Sequence, residues 1–442
     1  MKTKMASIPF EVNNIDGRIM PFRQVVYVDE NPNGTRCYYS DDKLTDQVNL
    51  PDNTELIYTR PELLYGMSDI ALPSPTHHEV VQVEKPDYIK KLRPFDYAAY
   101  IVSQVPLKKY NSELYVFRDG CYHAMSKPEV CDLVMDYCGA DIIHGGSPSV
   151  IDKVVSCLNN LPGLRCQDTD VDPDFVPFRN GIFNIRDFSF YPYETRPFVR
   201  YALTVDFDPM NGYCPEFLNY LNTVTGYDPV MKTRILEIMG YLLTAHMDAK
   251  KFFVFAGVGN SGKSLLINLI ESLITPDSIF SAGMNELGLK FTLGYMNGKH
   301  LSICSDLSSA PITNSAVGNI KMLTGGDTKF CEKKQAAMVR MEKTTRLLFS
   351  TNHEITTVYH DQAFMDRCCV VPFLHSIPVD KQDPFLFAEL MNERTAIVNY
   401  ALNAYISLRL RRYGMGVEFT GEAEAQKQYH EYFHKKSIIV LL

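Results

Sequence analysis

One segment of the sequence has the residue types and the spacing of a phosphate-binding loop. GVGNSGKS fits G-x-x-x-x-G-K-[ST], with the apolar run FFVFAG leading into it and the helical pattern LLINLIESLI after it. Glycines let successive N–H groups turn toward phosphates, and the following helix directs its positive N-terminus at them. We expect Lys263 to reach the β- and γ-phosphates and the Ser264 hydroxyl to bind Mg²⁺. The loop residues are Gly257, Val258, Gly259, Asn260, Ser261, Gly262, Lys263 and Ser264.

Three polar residues beside further apolar runs could complete a hydrolytic site. HLSICSDL supplies Asp306, which could hold the metal and position water, and RLLFSTNHE supplies Asn352, which could hydrogen-bond to the attacking water or the γ-phosphate. Arg367 precedes CCVVPF and could reach the γ-phosphate of a neighbouring subunit as an arginine finger. The plainer alternatives are an Asp that begins a turn, an Asn that turns the chain, and an Arg in a surface ion pair.

The segment 321–346 is basic within an acidic chain. It holds seven Lys and Arg against three acidic residues, a balance of +4, whereas the whole chain carries −8. Two β-type stretches flank a tip at Lys333 and Lys334, which predicts a hairpin loop suited to gripping phosphates. We expect Lys329, Lys333 and Lys334 to contact nucleic acid. A solvated charge run is the alternative interpretation.

Composition limits the class of protein. A length of 442 residues favours two or three domains, and 45% hydrophobic with 22% charged residues is ordinary for a globular protein. The 11 cysteines follow no regular framework, and the spacings of the Cys and His residues at 121–144 fit no common zinc pattern, so reduced thiols are expected. Neither a membrane-spanning apolar run nor a signal segment is evident, which predicts a cytoplasmic protein.

The chain divides into four parts in this interpretation. The pattern of residues 1–87 predicts a small β-rich domain whose role the sequence does not reveal. The pattern of residues 88–249 predicts a mixed α+β segment that ends in collar-like helices. Within it, FVPFRNGIFNIRDFSFYPYETRP predicts a β-meander. Residues 250–380 alternate four short apolar runs with helical stretches, which indicates an α/β domain with a buried, largely parallel sheet. Residues 381–442 predict a helical tail.

Taken in order, these motifs resemble the superfamily 3 helicases, in particular the branch of poxvirus-type NTPase/primases and of phage and plasmid primase-helicases. The resemblance covers roughly 114–408 and rests on GVGNSGKS, ICSD, GGD with the basic hairpin, STN and the arginine before VVPF. It implies a P-loop, AAA+-like ATPase core and a hexameric ring with ATP between subunits. It also implies 3′-to-5′ movement along single-stranded DNA. Carried over by position, Lys263, Ser264, Asp306 and Asn352 serve ATP and Mg²⁺, Arg367 acts in trans, and Lys333 and Lys334 touch DNA.

The chain departs from that family in three places. Ser305 precedes a lone Asp306 where the family has two adjacent acids or a Glu, which leaves the catalytic base undefined. Residues 1–90 are too short for the primase domain that many relatives carry, so a separate primase or polymerase is an expected partner. The sequence ends at KKSIIVLL where many relatives continue into a winged-helix domain.

The leading hypothesis is an ATP-dependent replicative helicase of a virus, phage or mobile element. A non-translocating ATP-binding switch or scaffold that assembles a replication or defence complex is the alternative, and the lone acid at Asp306 is its main support. A small-molecule kinase on the same loop is less consistent with the basic hairpin and with Arg367. No N-K-x-D guanine signature is present, so adenine is the expected base.

Overall fold

The computed structural model describes residues 93–145, 149–166, 172–193, 197–325, 330–332, 334, 338–342, 344–412 and 416–441, and five strands before residue 60. These five strands form an antiparallel sheet in the order β4-β3-β2-β1-β5. The β-type segments RQVVYVDE and TELIYTR contain two of them and are confirmed as strands. The boundary expected near residue 87 lies outside the described residues. The strands are β1 (Lys4–Ile8), β2 (Gln24–Glu30), β3 (Arg36–Tyr39), β4 (Gln47–Val48) and β5 (Ile57–Tyr58).

The N-proximal segment, residues 93–249, contains two small antiparallel sheets and five helices among its described residues. LYVFRDGCYHAM forms the predicted strand pair β7–β8, and the aromatic-rich stretch forms the predicted meander β9–β11. Asp228 caps α5 by accepting a hydrogen bond from the Val230 N–H at 2.8 Å, an interaction of about 1 kcal/mol. The elements are α1 (Pro94–Gln104), β6 (Leu107–Tyr110), β7 (Glu113–Arg118), β8 (Cys121–Ala124), α2 (Lys127–Gly145), α3 (Ser149–Asn160), β9 (Phe175–Pro177), β10 (Gly181–Asn184), β11 (Phe190–Pro192), α4 (Pro215–Thr225) and α5 (Pro229–Leu243).

A five-stranded parallel sheet follows, in the order β13-β14-β17-β12-β18. The four predicted apolar runs are four of its strands. The fifth, β13, has only three residues and no apolar run to reveal it. Its elements are β12 (Phe252–Gly257), α6 (Lys263–Ser272), β13 (Ile279–Ser281), α7 (Thr292–Met296), β14 (Leu301–Cys304), α8 (Asn314–Gly325), β15 (Phe330–Cys331), β16 (Val339–Arg340), β17 (Arg346–Thr351), α9 (Gln362–Met365) and β18 (Cys368–Phe373).

Helices cover both faces of this sheet. Because side chains alternate along a strand, Phe253 and Phe255 of β12 enter one hydrophobic layer, and Phe252 and Val254 enter the other. The first layer contains α4, α5, α6 and α11, and the second contains α8 and the described part of α12. The predicted tail is therefore part of the fold, since α11 packs along α5 and α12 packs along β18. Its helices are α10 (Leu386–Asn392), α11 (Arg394–Arg411) and α12 (Glu422–Leu441).

The strand order and direction determine which strand ends lie next to each other. All five strands run in the same direction, so the segments that leave their carboxyl ends emerge at one edge of the sheet. β17 lies between β12 and β14, which places Asn352 between the glycine loop and Asp306 along that edge. Among the described helices, none is long and apolar enough to cross a membrane.

Candidate nucleotide site and basic hairpin

The glycine loop is anchored to the body of the protein at both ends. Gly257 has φ 147°, and a Cβ there would lie 2.0 Å from the Phe373 carbonyl oxygen, which accepts a hydrogen bond from the Val258 N–H at 3.0 Å. Gly262 has φ 88°, and a Cβ there would lie 2.6 Å from Cγ1 of Val224 on α4. The Tyr220 hydroxyl donates to the Gly262 carbonyl at 2.8 Å. β18 and α4 therefore fix the shape of the loop.

Lys263 is the first residue of α6 and its side chain is buried. Its ammonium donates to the Ser261 Oγ at 3.0 Å and to the Val258 carbonyl, so it lies folded into the loop. Burial lowers the pKa of Lys263 to about 8, and the negative charge of Asp306 opposes that shift. A buried ammonium with only neutral hydrogen-bond acceptors gains from an anionic partner, and a phosphate at the N-terminus of α6 would supply one.

Asp306 and Asn352 lie at the same edge of the sheet as this loop. Asp306 follows β14, Asn352 follows β17, and both residues are exposed, as is Ser264 on the first turn of α6. The structure therefore brings the predicted loop, acid and amide to one edge. Carboxylate and hydroxyl oxygens are the donor type that Mg²⁺ prefers, so Asp306 and Ser264 are chemically suited to hold that ion.

Two carboxylates that the sequence analysis did not single out share a cavity with Asp306. The cavity, of about 220 Å³, is lined by Glu286 and Glu354 among others. The Glu286 carboxylate already has a hydrogen-bond partner in the protein, since its Oε2 accepts from the Gly283 N–H at 2.7 Å. Glu354 lies two residues after Asn352, and this short spacing in the sequence could have indicated that Glu354 lies near the site. The lone acid after β14 is thus accompanied by further carboxylates at the same edge.

Arg367 lies at the opposite edge of the sheet, where the amino ends of the strands are. It directly precedes β18, and its carbonyl accepts a hydrogen bond from the N–H of Phe252, the first residue of β12. Its Nη1 donates to the Ala363 carbonyl at 2.5 Å, and its buried Nε has no hydrogen-bond partner among the described residues. A strand of six residues spans roughly 17–20 Å, so Arg367 is separated from the loop of its own chain by the full length of β12.

The predicted hairpin is confirmed as β15 and β16, which pair antiparallel with Phe330 opposite Arg340. Lys334 is exposed at the turn between the two strands. Lys329 and Lys333 lie outside the described residues.

The interpretation of the whole segment 321–346 as one basic patch is wrong for two residues. Lys321 forms an ion pair with Asp361 at 2.8 Å on the body of the domain. Arg346 is buried, and donates to the His246 carbonyl at 3.2 Å and to His300 Nδ1 at 2.9 Å. Burial, aided by the charge of Arg346, holds the pKa of His300 well below its usual value, so its neutral ring can accept that hydrogen bond.

A buried carboxylate lies just before β9. The residues that precede β9 form a turn, and Asp174 within it is 4% exposed. It lies 3.0 Å from His246 Nε2 and 2.5 Å from Arg186. Burial opposes its ionisation, but His246 and Arg186 outweigh that cost and hold the pKa of Asp174 below its usual value. The His246 carbonyl accepts a hydrogen bond from Arg346, the first residue of β17. The cluster therefore joins the N-proximal segment to the amino ends of the parallel strands.

A second cluster has the order of a nucleophile, a base and an acid. Cys121 Sγ lies 3.3 Å from His123 Nε2, and His123 Nδ1 lies 2.8 Å from Asp277 Oδ2. Cys121 is 1% exposed, and burial raises the pKa of its thiol to about 12, so no accessible thiolate forms. The cluster instead connects β8 to the segment after α6. Among the side chains that the structure describes, no group of three or more His, Cys, Asp or Glu could hold a metal ion.

The loop glycines provide a prediction with an internal control. Gly262→Ala is expected to lower the rate of the ATP hydrolysis that the loop motif predicts by about 10²-fold, because a Cβ would displace α4 or the loop by a fraction of an ångström to one ångström. The positive φ adds about 1–2 kcal/mol of strain. Gly259→Ala keeps the backbone N–H and should leave the rate within a few-fold, since no atom beyond its two chain neighbours lies within 4 Å of its Cβ position. Steady-state ATP turnover of the two variants measures the difference, and equal rates would show that the packing against Val224 is unimportant.

Two parts of the chain match known families. Residues 255–367 match a family of unknown function (DUF5906), and residues 140–226 match a family described as D5 N terminal like. The first range runs from within β12 to Arg367 and encloses the loop, Asp306, the hairpin and Asn352.

Solved chains described as the apo C terminal region of NrS-1 are similar in part. An A form chain is 12% identical, with 70% of this chain and 69% of that chain covered and a TM-score of 0.46. A second chain, spanning 305–718, is 11% identical, with 71% and 70% covered and a TM-score of 0.48. Similarity at this level does not indicate a function for this protein.

Proposed function

We propose that this chain is an ATP-dependent DNA helicase of a virus, phage or mobile element, active in replication as a hexameric ring on single-stranded DNA. The observation that carries the proposal is the division of the site between two edges of one sheet. The loop, Asp306 and Asn352 share one edge, and Arg367 lies at the other. The match described as D5 N terminal like supports a replication protein of the viral or phage primase-helicase type.

In the proposed reaction, ATP binds through its phosphates to the loop 257–264. Lys263 contacts the β- and γ-phosphates, while Ser264 and Asp306 hold Mg²⁺, which neutralises charge on the phosphate oxygens. Asn352 orients the attacking water or detects the γ-phosphate. The order of β12, β17 and β14 in the parallel sheet supports this set, because the residues that follow these strands lie at the same edge. The core is then a P-loop ATPase of the AAA+ type.

Arg367 completes the site of a neighbouring copy in this proposal. Its distance from its own loop leaves a partner's loop as the target, and its Nε lacks a hydrogen-bond partner among the described residues. A guanidinium at the γ-phosphate stabilises the charge that develops during transfer. Hydrolysis at each interface would then move Arg367 and the hairpin relative to the bound DNA.

The hairpin is proposed to grip the DNA backbone through Lys329, Lys333 and Lys334. Lys333→Ala combined with Lys334→Ala should spare basal ATP turnover and abolish unwinding, because phosphate contacts at the tip transmit movement but do not take part in hydrolysis. A forked-duplex unwinding assay beside an ATPase assay measures both. Lys153→Ala with Lys427→Ala, at two exposed positions elsewhere, is the matched control. Normal unwinding by the tip variant would refute the assignment of the grip.

The alternative function is an ATP-binding switch or scaffold that assembles a replication or defence complex without moving along DNA. Ser305 in place of a second acid beside Asp306 favours it. ATP turnover with and without single-stranded DNA separates the two functions. A helicase is expected to be stimulated several-fold or more, whereas a switch would show slow turnover that DNA leaves unchanged. A separate primase or polymerase remains the proposed partner in either case.

A further inference from the structure

We propose that Phe330 on β15 is a stacking platform for one base of a single strand, with Arg340 and Lys334 contacting the phosphates beside it. This inference rests on the proposed function and adds to it a contact with a base. The expected contacts of Lys329, Lys333 and Lys334 are with phosphates only.

The pairing of the hairpin strands places an aromatic ring beside a cation. Phe330 is directly opposite Arg340 in the antiparallel register, so both side chains lie on the same face of the two-stranded ribbon. Phe330 is 59% exposed, and Arg340 is exposed. Met338, two positions before Arg340, is also 59% exposed. We name Phe330, Met338 and Arg340 the outer face of the hairpin.

The opposite face of the ribbon is buried. Cys331 is 5% exposed, with its Sγ 4.0 Å from the Sδ of Met341, and both residues belong to the hydrophobic layer beside α8 and α12. The ribbon therefore cannot turn over to bury Phe330 without exposing Cys331. The exposure of the aromatic ring is thus a consequence of the register.

The base of the hairpin is fixed to the body of the protein. The Glu342 N–H donates to Asn297 Oδ1 at 2.7 Å, and Asn297 Nδ2 donates to the Arg340 carbonyl at 3.3 Å. The Glu342 carboxylate forms an ion pair with Arg200 and accepts from the Tyr110 hydroxyl at 3.2 Å. An outer face held in this way can transmit force to a bound ligand.

The charges around the outer face favour a polyanion. Glu342 is neutralised by Arg200, and Glu332, next to β15, forms an ion pair with Lys290 at 3.3 Å. Both described acids of the hairpin are therefore paired with cations outside it. Lys334 and Arg340 are both exposed to solvent. An exposed aromatic ring among cations matches the chemistry of a single strand, whose unpaired bases stack on aromatic side chains while its phosphates contact Lys and Arg. A duplex keeps its base faces covered.

The absence of tryptophan from the chain provides a direct test. Phe330→Trp introduces the only indole, and its fluorescence should be quenched in a saturable manner by oligothymidylate in the presence of a non-hydrolysable ATP analogue. Phe385→Trp is the control, because Phe385 is 73% exposed and precedes α10, which packs against α4 and α6 on the other face of the sheet. Its emission should not change. Quenching of the Phe330 reporter by polyglutamate to the same extent would overturn the proposal, since it would indicate a site for any polyanion, including an acidic protein segment.

Binding measurements distinguish stacking from charge. Phe330→Ala should weaken oligothymidylate binding about 5- to 150-fold, the effect of losing one stacked base, and Phe330→Tyr should restore it. The slope of log K against log salt should stay unchanged in Phe330→Ala but become shallower by about 0.7 in Arg340→Ala. Wild-type affinity in Phe330→Ala would overturn the stacking platform and leave the helicase proposal intact. If the wild-type protein bound no single strand, both would be refuted.

Discussion

Lys263→Ala is expected to abolish ATP hydrolysis, with and without DNA, by at least about 10²–10³-fold. The ammonium is the only side-chain cation of the loop 257–264, and it already lies buried at the start of α6. Removing it leaves the β- and γ-phosphates to the backbone N–H groups and the helix N-terminus alone. Colorimetric phosphate release at saturating ATP measures the loss, and binding of a fluorescent ATP analogue shows how much of it is weakened affinity.

The control for this variant is Lys153→Ala, which removes an exposed lysine on α3. It should hydrolyse ATP at the wild-type rate. Thermal unfolding should be similar for the two variants, because the hydrogen bonds that Lys263 donates among the described residues go to Val258 and Ser261 in its own loop. Substantial DNA-stimulated hydrolysis by a folded Lys263→Ala protein would refute the assignment of 257–264 as the phosphate site.

Arg367→Ala should lower the hydrolysis rate by about 10³–10⁵-fold while leaving ATP affinity nearly unchanged. The reason is geometric. The side chain is remote from its own loop by the length of β12. In the proposed arrangement it therefore acts at the transition state of a neighbour rather than in ground-state binding in its own chain. Turnover at saturating ATP and equilibrium binding of a fluorescent ATP analogue separate the two effects. A parallel loss of ATP affinity would instead indicate that Arg367 has a structural role in its own subunit.

Mixing the two inactive variants tests the trans role directly. An interface between a Lys263→Ala copy and an Arg367→Ala copy contains one intact loop and one intact arginine when the copies meet in the correct order. An equal mixture that exchanges subunits should regain activity at about a quarter of its interfaces. Either variant alone should stay inactive. No recovery in a mixture shown to form mixed particles would contradict action in trans.

Local patterns in the sequence were sufficient to predict much of the fold. The loop, the four apolar runs, the meander and the β15–β16 hairpin each depend on residues that are neighbours in the chain, so spacing and turn signals reveal them. β13 escaped prediction because three residues carry too little periodicity. The packing of α12 on β18 also escaped, because contacts across long sequence separations leave no local pattern.

The candidate site shows the same limit. The sequence predicted Lys263, Asp306, Asn352 and Arg367 as polar residues beside buried strands. It did not predict that Arg367 lies at the edge opposite the loop, because that follows from the pairing of β12 with β18. Nor did it separate Arg346, which is buried against His300, from the exposed cations of the hairpin. A count of charges along the chain carries no information about burial.

The placement of Arg367 and the loop at opposite edges of one sheet has a consequence for assembly. In the proposed arrangement, contact between copies joins unlike surfaces, so it continues head to tail instead of stopping at a pair. An open row of n copies leaves one loop without a donor and completes n − 1 sites, whereas a closed cycle completes all of them. Turnover per copy should therefore report closure: it should reach its plateau only when the last subunit meets the first.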